Sequence, residues 1–139
     1  MRSIMLVLVA SVALLVGACD LIGERRCSDG SDRWVEYRLY MGRGGTEGEV
    51  VTDAHWDKFL GDTVTPRFPD GLTVLDGRGQ WLGGGGEIQK ERSKVLVILV
   101  ADDDEEAEKL IHEVSEDYKR RFAQEAVLKT VNKTCVAFQ

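Results

Sequence analysis

Residues 65–81, TPRFPDGLTVLDGRGQW, hold the densest set of chemically able side chains in this sequence. Arg67, Asp70, Asp76, Arg78 and Trp81 share the stretch with both prolines of the chain. Arginines beside an aromatic ring are suited to grip a carboxylate with two parallel bonds, or to hold a planar ligand. Arg38 and Tyr40 stand two apart in an alternating segment and face the same way, so they extend the set. The competing account is local. Arg67 and Asp70 tie down a proline-rich turn, and Asp76 and Arg78 decorate an exposed hairpin. Turn chemistry accounts for most of these residues. The candidate ligand-binding residues that remain are Arg38, Tyr40, Arg67, Asp76, Arg78 and Trp81.

Other chemistries have weaker support in the sequence. His55 and His112 are the two histidines. Each falls in a predicted helix with no Cys, His or acidic partner at ligand spacing, so neither reads as part of a zinc site. The acidic run Asp102–Glu106 lacks the alternating ligands, turn glycine and distal glutamate of a calcium loop. It reads instead as the capped, dipole-matched start of a helix. Gly42–Gly45 and Gly83–Gly86 lack the lysine and helix start of a phosphate loop, and there is no GxGxxG or nucleophile elbow. No catalytic residue, metal or cofactor is expected. A chain with formal charge −6 is not a simple nucleic-acid binder and has no polybasic patch for anionic lipid.

The elements that must position these residues follow from periodicity. Val35, Tyr37, Leu39 and Met41 alternate with Trp34, Glu36, Arg38 and Tyr40, which predicts a first strand. Residues 42–49, GRGGTEGE, read as a flexible loop. Thr52 or Asp53 caps a helix that runs to about Val64 and is stopped by Pro66. A second strand starts at Leu72 and continues to about Leu82 past a glycine kink. Gly83–Gly86 turns the chain into a third strand ending in KVLVILV, which is apolar on both faces and therefore needs cover on both. A second helix runs to about Phe122, with Ala107, Leu110, Ile111, Val114, Tyr118 and Phe122 in one stripe. The last strand spans about Ala126–Phe138. The order strand, helix, strand, strand, helix, strand predicts an α+β, ferredoxin-like βαββαβ fold. Its four-stranded antiparallel sheet, in order 4-1-3-2, carries both helices on one face.

The amino-terminal segment predicts export. Arg2 precedes an apolar run from Ile4 to Val16, which is shorter than the ~20 residues of a spanning helix, and small residues follow it. LLVGAC resembles the lipobox of bacterial lipoproteins, which implies cleavage before Cys19 and acylation of its thiol. Asp20 resembles a retention signal for the inner membrane that varies between bacteria, so inner and outer membrane both stay open. The expected organisation is a signal peptide over 1–18, a lipidated Cys19 with a tether to residue 32, and one α+β domain over 33–139. The mature chain would carry net charge −7, since only Arg2 is lost. With Cys19 acylated, Cys27 and Cys135 remain as an even pair in an oxidising compartment. The 4-1-3-2 order places the start of the first strand beside the end of the last, so these two are predicted to form a disulfide.

RLYMGR, VTDAHWDKFL, TPRFPDGLTVLDGRGQW, SKVLVILV and CVAF together resemble a family of small, often exported bacterial proteins known as a domain of unknown function. The resemblance covers residues 37–138 and departs at Gly83–Gly86. It implies no activity, substrate or site residue. The expected function is therefore a non-enzymatic, lipid-anchored binding or interaction module of the cell envelope, on its periplasmic side. Its expected partners are the membrane, an envelope protein or a second copy of the chain. The alternative is a small-molecule binder or cofactor-free enzyme that uses the open face of a dimeric α+β-barrel-like sheet.

Overall fold

A computed structural model describes residues 27–28, 30–45 and 48–139. The expected signal peptide and the expected lipidation site at Cys19 lie outside the described residues.

Strand β1, Asp32–Gly42, follows the alternation of aromatic and branched residues. Two short strands come next, β2 at Gly44–Gly45 and β3 at Gly48–Glu49, paired antiparallel as a small separate sheet. Helix α1, Asp53–Phe59, is capped by the Thr52 side chain, which accepts from the His55 backbone N–H. It passes directly into a π-helical turn, Leu60–Val64, closed by Thr65 N–H donating to the Leu60 carbonyl. Strands β4, Thr73–Leu82, and β5, Ile88–Ala101, are uninterrupted. Gly86, at φ +82°, makes the turn between them and donates its N–H to the Gly83 carbonyl. Helix α2, Ala107–Phe122, begins where Asp104 Oδ1 accepts from the N–H groups of Glu106 and Ala107. Strand β6, Leu128–Val136, ends the fold.

The predicted ferredoxin-like βαββαβ fold is corrected by this order. The chain builds β1-β2-β3-α1-β4-β5-α2-β6, so strands dominate, and a second sheet precedes any helix. Within the stretch expected to be a loop, Gly44–Gly45 and Gly48–Glu49 are paired strands. The reason is physical: β2 and β3 are held by backbone bonds between glycine-rich segments, which leave no side-chain period to read. The predicted first helix is likewise split into a short α-helix and a π turn.

The main sheet is four-stranded and antiparallel, in order β4-β5-β1-β6. One face carries Tyr37, Leu39 and Met41 from β1 opposite Ile98, Leu96 and Lys94 from β5. Trp56, Phe59, Val64, Ile111, Val114 and Tyr118 join the apolar members of that face in one buried cluster. At its centre Phe59, Tyr118 and Phe122 meet edge-to-face, with centroids 5.2 Å (Phe59–Tyr118) and 4.9 Å (Tyr118–Phe122) apart. Such pairs contribute about 0.5–1.5 kcal/mol beyond the burial itself. The other face carries Trp34, Glu36, Arg38 and Tyr40.

Cys27 and Cys135 form a disulfide with Cα atoms 5.5 Å apart. Arg33 is opposite Cys135 in the register of β1 with β6, so the segment before β1 is brought to the end of β6. The bond is consistent with an exported protein. It closes a loop of 108 residues, which the chain-entropy model values at up to ~4.7 kcal/mol. Replacing Cys135 with Ser is expected to lower unfolding stability by about 2–4 kcal/mol, measured by urea denaturation of wild type and variant under oxidising conditions.

Candidate functional site

The residues with chemical ability converge where β1 ends. β1 ends at Gly42, where a Cβ would lie 2.2 Å from Glu91 Oε1 and would push that carboxylate aside. The Glu91 carboxylate lies against this glycine-rich backbone and accepts from the Gly44 N–H at 2.8 Å. Arg43, between the two glycines, turns inward and is 1% exposed. Its Nε–H donates to the Val51 carbonyl at 2.6 Å, and its Nη1 lies 2.9 Å from Asp53 Oδ1. The second contact is an ion pair rather than an aligned hydrogen bond. The backbone of Arg43 is equally committed: its N–H donates to the Arg92 carbonyl, and its own carbonyl accepts from Val50 and Val51.

Lys94 is the second buried cation, on the core-facing side of β5 in line with Leu96 and Ile98. Its Nζ lies 2.7 Å from Asp76 Oδ1 and 3.6 Å from Asp53 Oδ1. Arg43 and Lys94 are thus inside the protein, and their carboxylates Asp53 and Asp76 are at its surface. The hydrogen bond and charge of Lys94 hold the Asp76 carboxyl below the usual carboxylate range. Asp76 is therefore ionised at neutral pH and does not serve as a general acid there. Tyr118 completes the cluster by donating its hydroxyl to the Gly42 carbonyl at 2.7 Å. Burial pushes that hydroxyl well above its ordinary range, opposed by Arg43 and assisted by Glu91.

Beside this network is a cleft of about 410 Å³ lined by Arg78, Gly79, Gln80, Lys90, Glu91 and Arg92. Arg78 is directly across from Arg92, and Gln80 from Lys90. Like charges opposite one another in a sheet repel, so the cleft wall favours a negative occupant. A smaller cleft of about 160 Å³ is bordered by His112, Ser115, Glu116, Lys119, Val127 and Lys129. His55 has a structural setting, with its Nδ1 3.2 Å from the Val50 carbonyl and its ring 6.1 Å from that of Phe122. Among the described residues, no group of three His, Cys, Asp or Glu is placed to hold a metal ion.

The structure separates the residues singled out in the sequence. Arg38 and Tyr40 lie on the open face of the main sheet, where Arg38 Nε is 2.8 Å from Glu36 Oε1. Arg67 bonds the Thr63 carbonyl, Asp117 and Glu113, and so ties the turn after the π helix to α2. Asp76 belongs to the Lys94 pair. Arg78 lines the larger cleft. Trp81, half exposed, is near the tip of the β4–β5 hairpin, with its side chain on the opposite side from Arg78. Sequence reasoning missed Arg43, Lys94, Asp53, Glu91, Lys90 and Arg92. Lys94 did leave a signal, as a charge at a position that alternation assigns to the apolar face.

The pattern that spans this site also carries the relationship. The family described as Protein of unknown function (DUF3574) matches residues 36–138, from within β1 to just past β6. The chain belongs to that family. Its match takes in Arg43, Asp53, Asp76, Arg78, Glu91 and Lys94. No curated protein matches the chain. Among solved structures it is similar to a phage SAM lyase in complex with S-methyl-5'-thioadenosine. The identity is 15%, the TM-score is 0.55, and 83% of this chain and 95% of that chain are covered. The apo state of a phage SAM lyase gives 14% identity and a TM-score of 0.56, covering 84% of this chain and 98% of that one. At these identities the likeness is one of fold alone.

Two outcomes test the network. Arg43→Lys is expected to lose about 2–3 kcal/mol by urea denaturation although the charge is kept, because an ammonium cannot supply both prongs of the guanidinium. Asp53→Asn should cost less, since Asp53 is 66% exposed. Tyr118 gives a pH signature. Its folded value is raised above the ordinary 10.0, so its contribution is complete below about pH 10 and is lost as pH rises towards the folded value. Tyr118→Phe should cost about 1 kcal/mol at neutral pH and flatten the alkaline fall in stability, read by denaturation at about pH 7 and pH 11. Tyr37, raised chiefly by burial, leaves a residual slope of the same sign.

Proposed function

We propose that this chain is an exported, lipid-anchored binding module of the bacterial cell envelope. The observation that carries the reading is the Cys27–Cys135 disulfide. Such bonds persist in oxidising compartments outside the cytoplasm. The bond also has a mechanical result. Cys27 is eight residues after Cys19, where the LLVGAC motif puts the lipid. Eight extended residues reach at most about 29 Å. A lipid on Cys19 would therefore hold the sheet near the bilayer, at the end where β1 begins and β6 finishes. Among the described residues no helix is long and apolar enough to cross a membrane, which leaves the attachment in this reading to the lipid. Two acyl chains anchor stably where one binds marginally.

A second reading is favoured by the facing pair Arg78 and Arg92: the cleft they line takes a small molecule bearing a carboxylate or phosphate. The phage SAM lyase structure contains S-methyl-5'-thioadenosine in that protein. Its likeness to this chain extends to the fold, so the ligand class here rests on the cleft's own charges.

The anchor reading is tested by metabolic labelling. Wild-type chain is expected to incorporate labelled palmitate and to fractionate with membranes, and Cys19→Ala to do neither and to retain its signal segment by intact mass. A wild-type protein that takes up no label refutes the anchor.

A further inference from the structure

We propose that the open face of the main sheet is a self-association surface whose occupant is a second copy of this chain. In the arrangement proposed, the two copies are related by a two-fold axis that lies in the interface and runs perpendicular to β1.

The face carries a contiguous apolar strip that neither helix covers among the described residues, and Phe138 meets its Trp34 edge-on with centroids 5.8 Å apart. The cross-strand register places Tyr40 between Val95 and Leu128, with Leu75 beyond Val95, and Glu36 between Leu99 and Asn132. Leu75 and Leu128 are 51% and 62% exposed. Both α-helices contribute to the core on the opposite face. A contiguous apolar surface of this kind marks an interaction site.

The charges on the face identify the occupant. Within the rows shared by β5, β1 and β6, Glu36 and Arg38 are the charged residues of this face, and they neutralise each other at 2.8 Å. The chain as a whole carries −6, so two copies repel over most approaches. This central patch has no net charge and opposes nothing. It is also its own complement. A two-fold axis perpendicular to β1, passing at the level of Tyr37, reverses the strand direction and lays Arg38 over the partner's Glu36. The same operation lays Tyr40 over the partner's Trp34 and Val97 over the partner's Leu99. Two ion pairs, two aromatic pairs and an aliphatic seam form at once, because every contact of such an interface occurs twice. An axis parallel to β1 would instead place Arg38 on the partner's Arg38. The charge pair therefore selects one symmetry. Packed sheets cross at roughly 30°, so the central contacts keep this register while those at the edges diverge. The footprint of these three strands by seven residues is about 14 × 23 Å, well below the ~800 Å² per partner of a standard interface, so the association is weak and reversible.

The test is sedimentation equilibrium of the full chain in mild detergent, from low to high micromolar. Wild type is expected to form a reversible dimer. Arg38→Glu and Glu36→Arg, each alone, place like charges across the axis and are expected to weaken self-association at least tenfold. An equimolar mixture of the two variants is expected to dimerise again, since each then meets its complement. Arg38→Gln, which removes charge without adding repulsion, should fall between. An intact disulfide and a cooperative melt check that each variant is folded. Should both charge variants fail to fold, Arg38→Gln and the wild type decide the matter. A wild type that is monomeric at high micromolar overturns the proposal. So do single variants that dimerise like wild type, or a folded mixture that stays monomeric.

Discussion

The burial of Arg43 is the constraint on which the rest of this structure depends. A guanidinium excluded from water must be paired, and the pairing organises everything around it. The Val51 carbonyl that accepts its Nε–H fixes the chain just before α1. The Asp53 carboxylate beside its Nη1 opens that helix. The backbone of the same residue joins β5 through Arg92 and holds Val50 and Val51. One residue thus sets the distance between the end of β1, the start of α1 and the middle of β5. Trp56 and Phe59 are delivered to Tyr118 from that position, and Tyr118 returns a bond to Gly42 next door. The aromatic core and the charged cluster are consequently one mechanical unit.

Placement of charge explains why this cluster resembles a site and yet leaves its cations fully occupied. Buried cations with exposed carboxylates are the reverse of an acid–base pocket, in which a desolvated carboxyl is driven towards neutrality. Here Asp76 moves the other way. The positive charge that the larger cleft presents comes from the stretch of β4 and β5 where Arg78, Lys90 and Arg92 line it beside Glu91. Those basic side chains and the open sheet face lie on opposite sides of the same strands, so a ligand and a second copy would not compete for the same surface.

How much of this the sequence disclosed depended on whether the information was local. The disulfide was legible because only two cysteines remained once Cys19 was set aside, and strand neighbours could be worked out from order. β1, β5 and α2 were legible because their apolar periods are long. β2 and β3 were not, since strands made by glycine backbones carry no period. The π turn was hidden for a related reason: Leu60–Val64 keeps the apolar spacing of a helix while its hydrogen bond skips one residue further. The charged cluster was the least legible of all. Arg43, Asp53, Asp76 and Lys94 come from four separate segments, and only Lys94 broke a pattern. Arg67 shows the opposite error. Its local context suggested a turn or a ligand, whereas its partners Glu113 and Asp117 lie on a helix some fifty residues away.

The unequal length of the strands has a dynamic consequence. β1 pairs with β5 only from Ser93 onward, and Arg43 and Gly44 add bonds to Arg92 and Glu91. Beyond that point Gln80–Leu82 and Ile88–Lys90 continue as a two-stranded ribbon with solvent on both faces, ending in the exposed side chains of Leu82 and Ile88. A ribbon of this kind is at best marginally stable by itself. Its amides therefore open and exchange with solvent faster than those of Leu96 or Ile98 on the same strand, so that a single continuous β5 joins well-protected backbone to backbone that breathes.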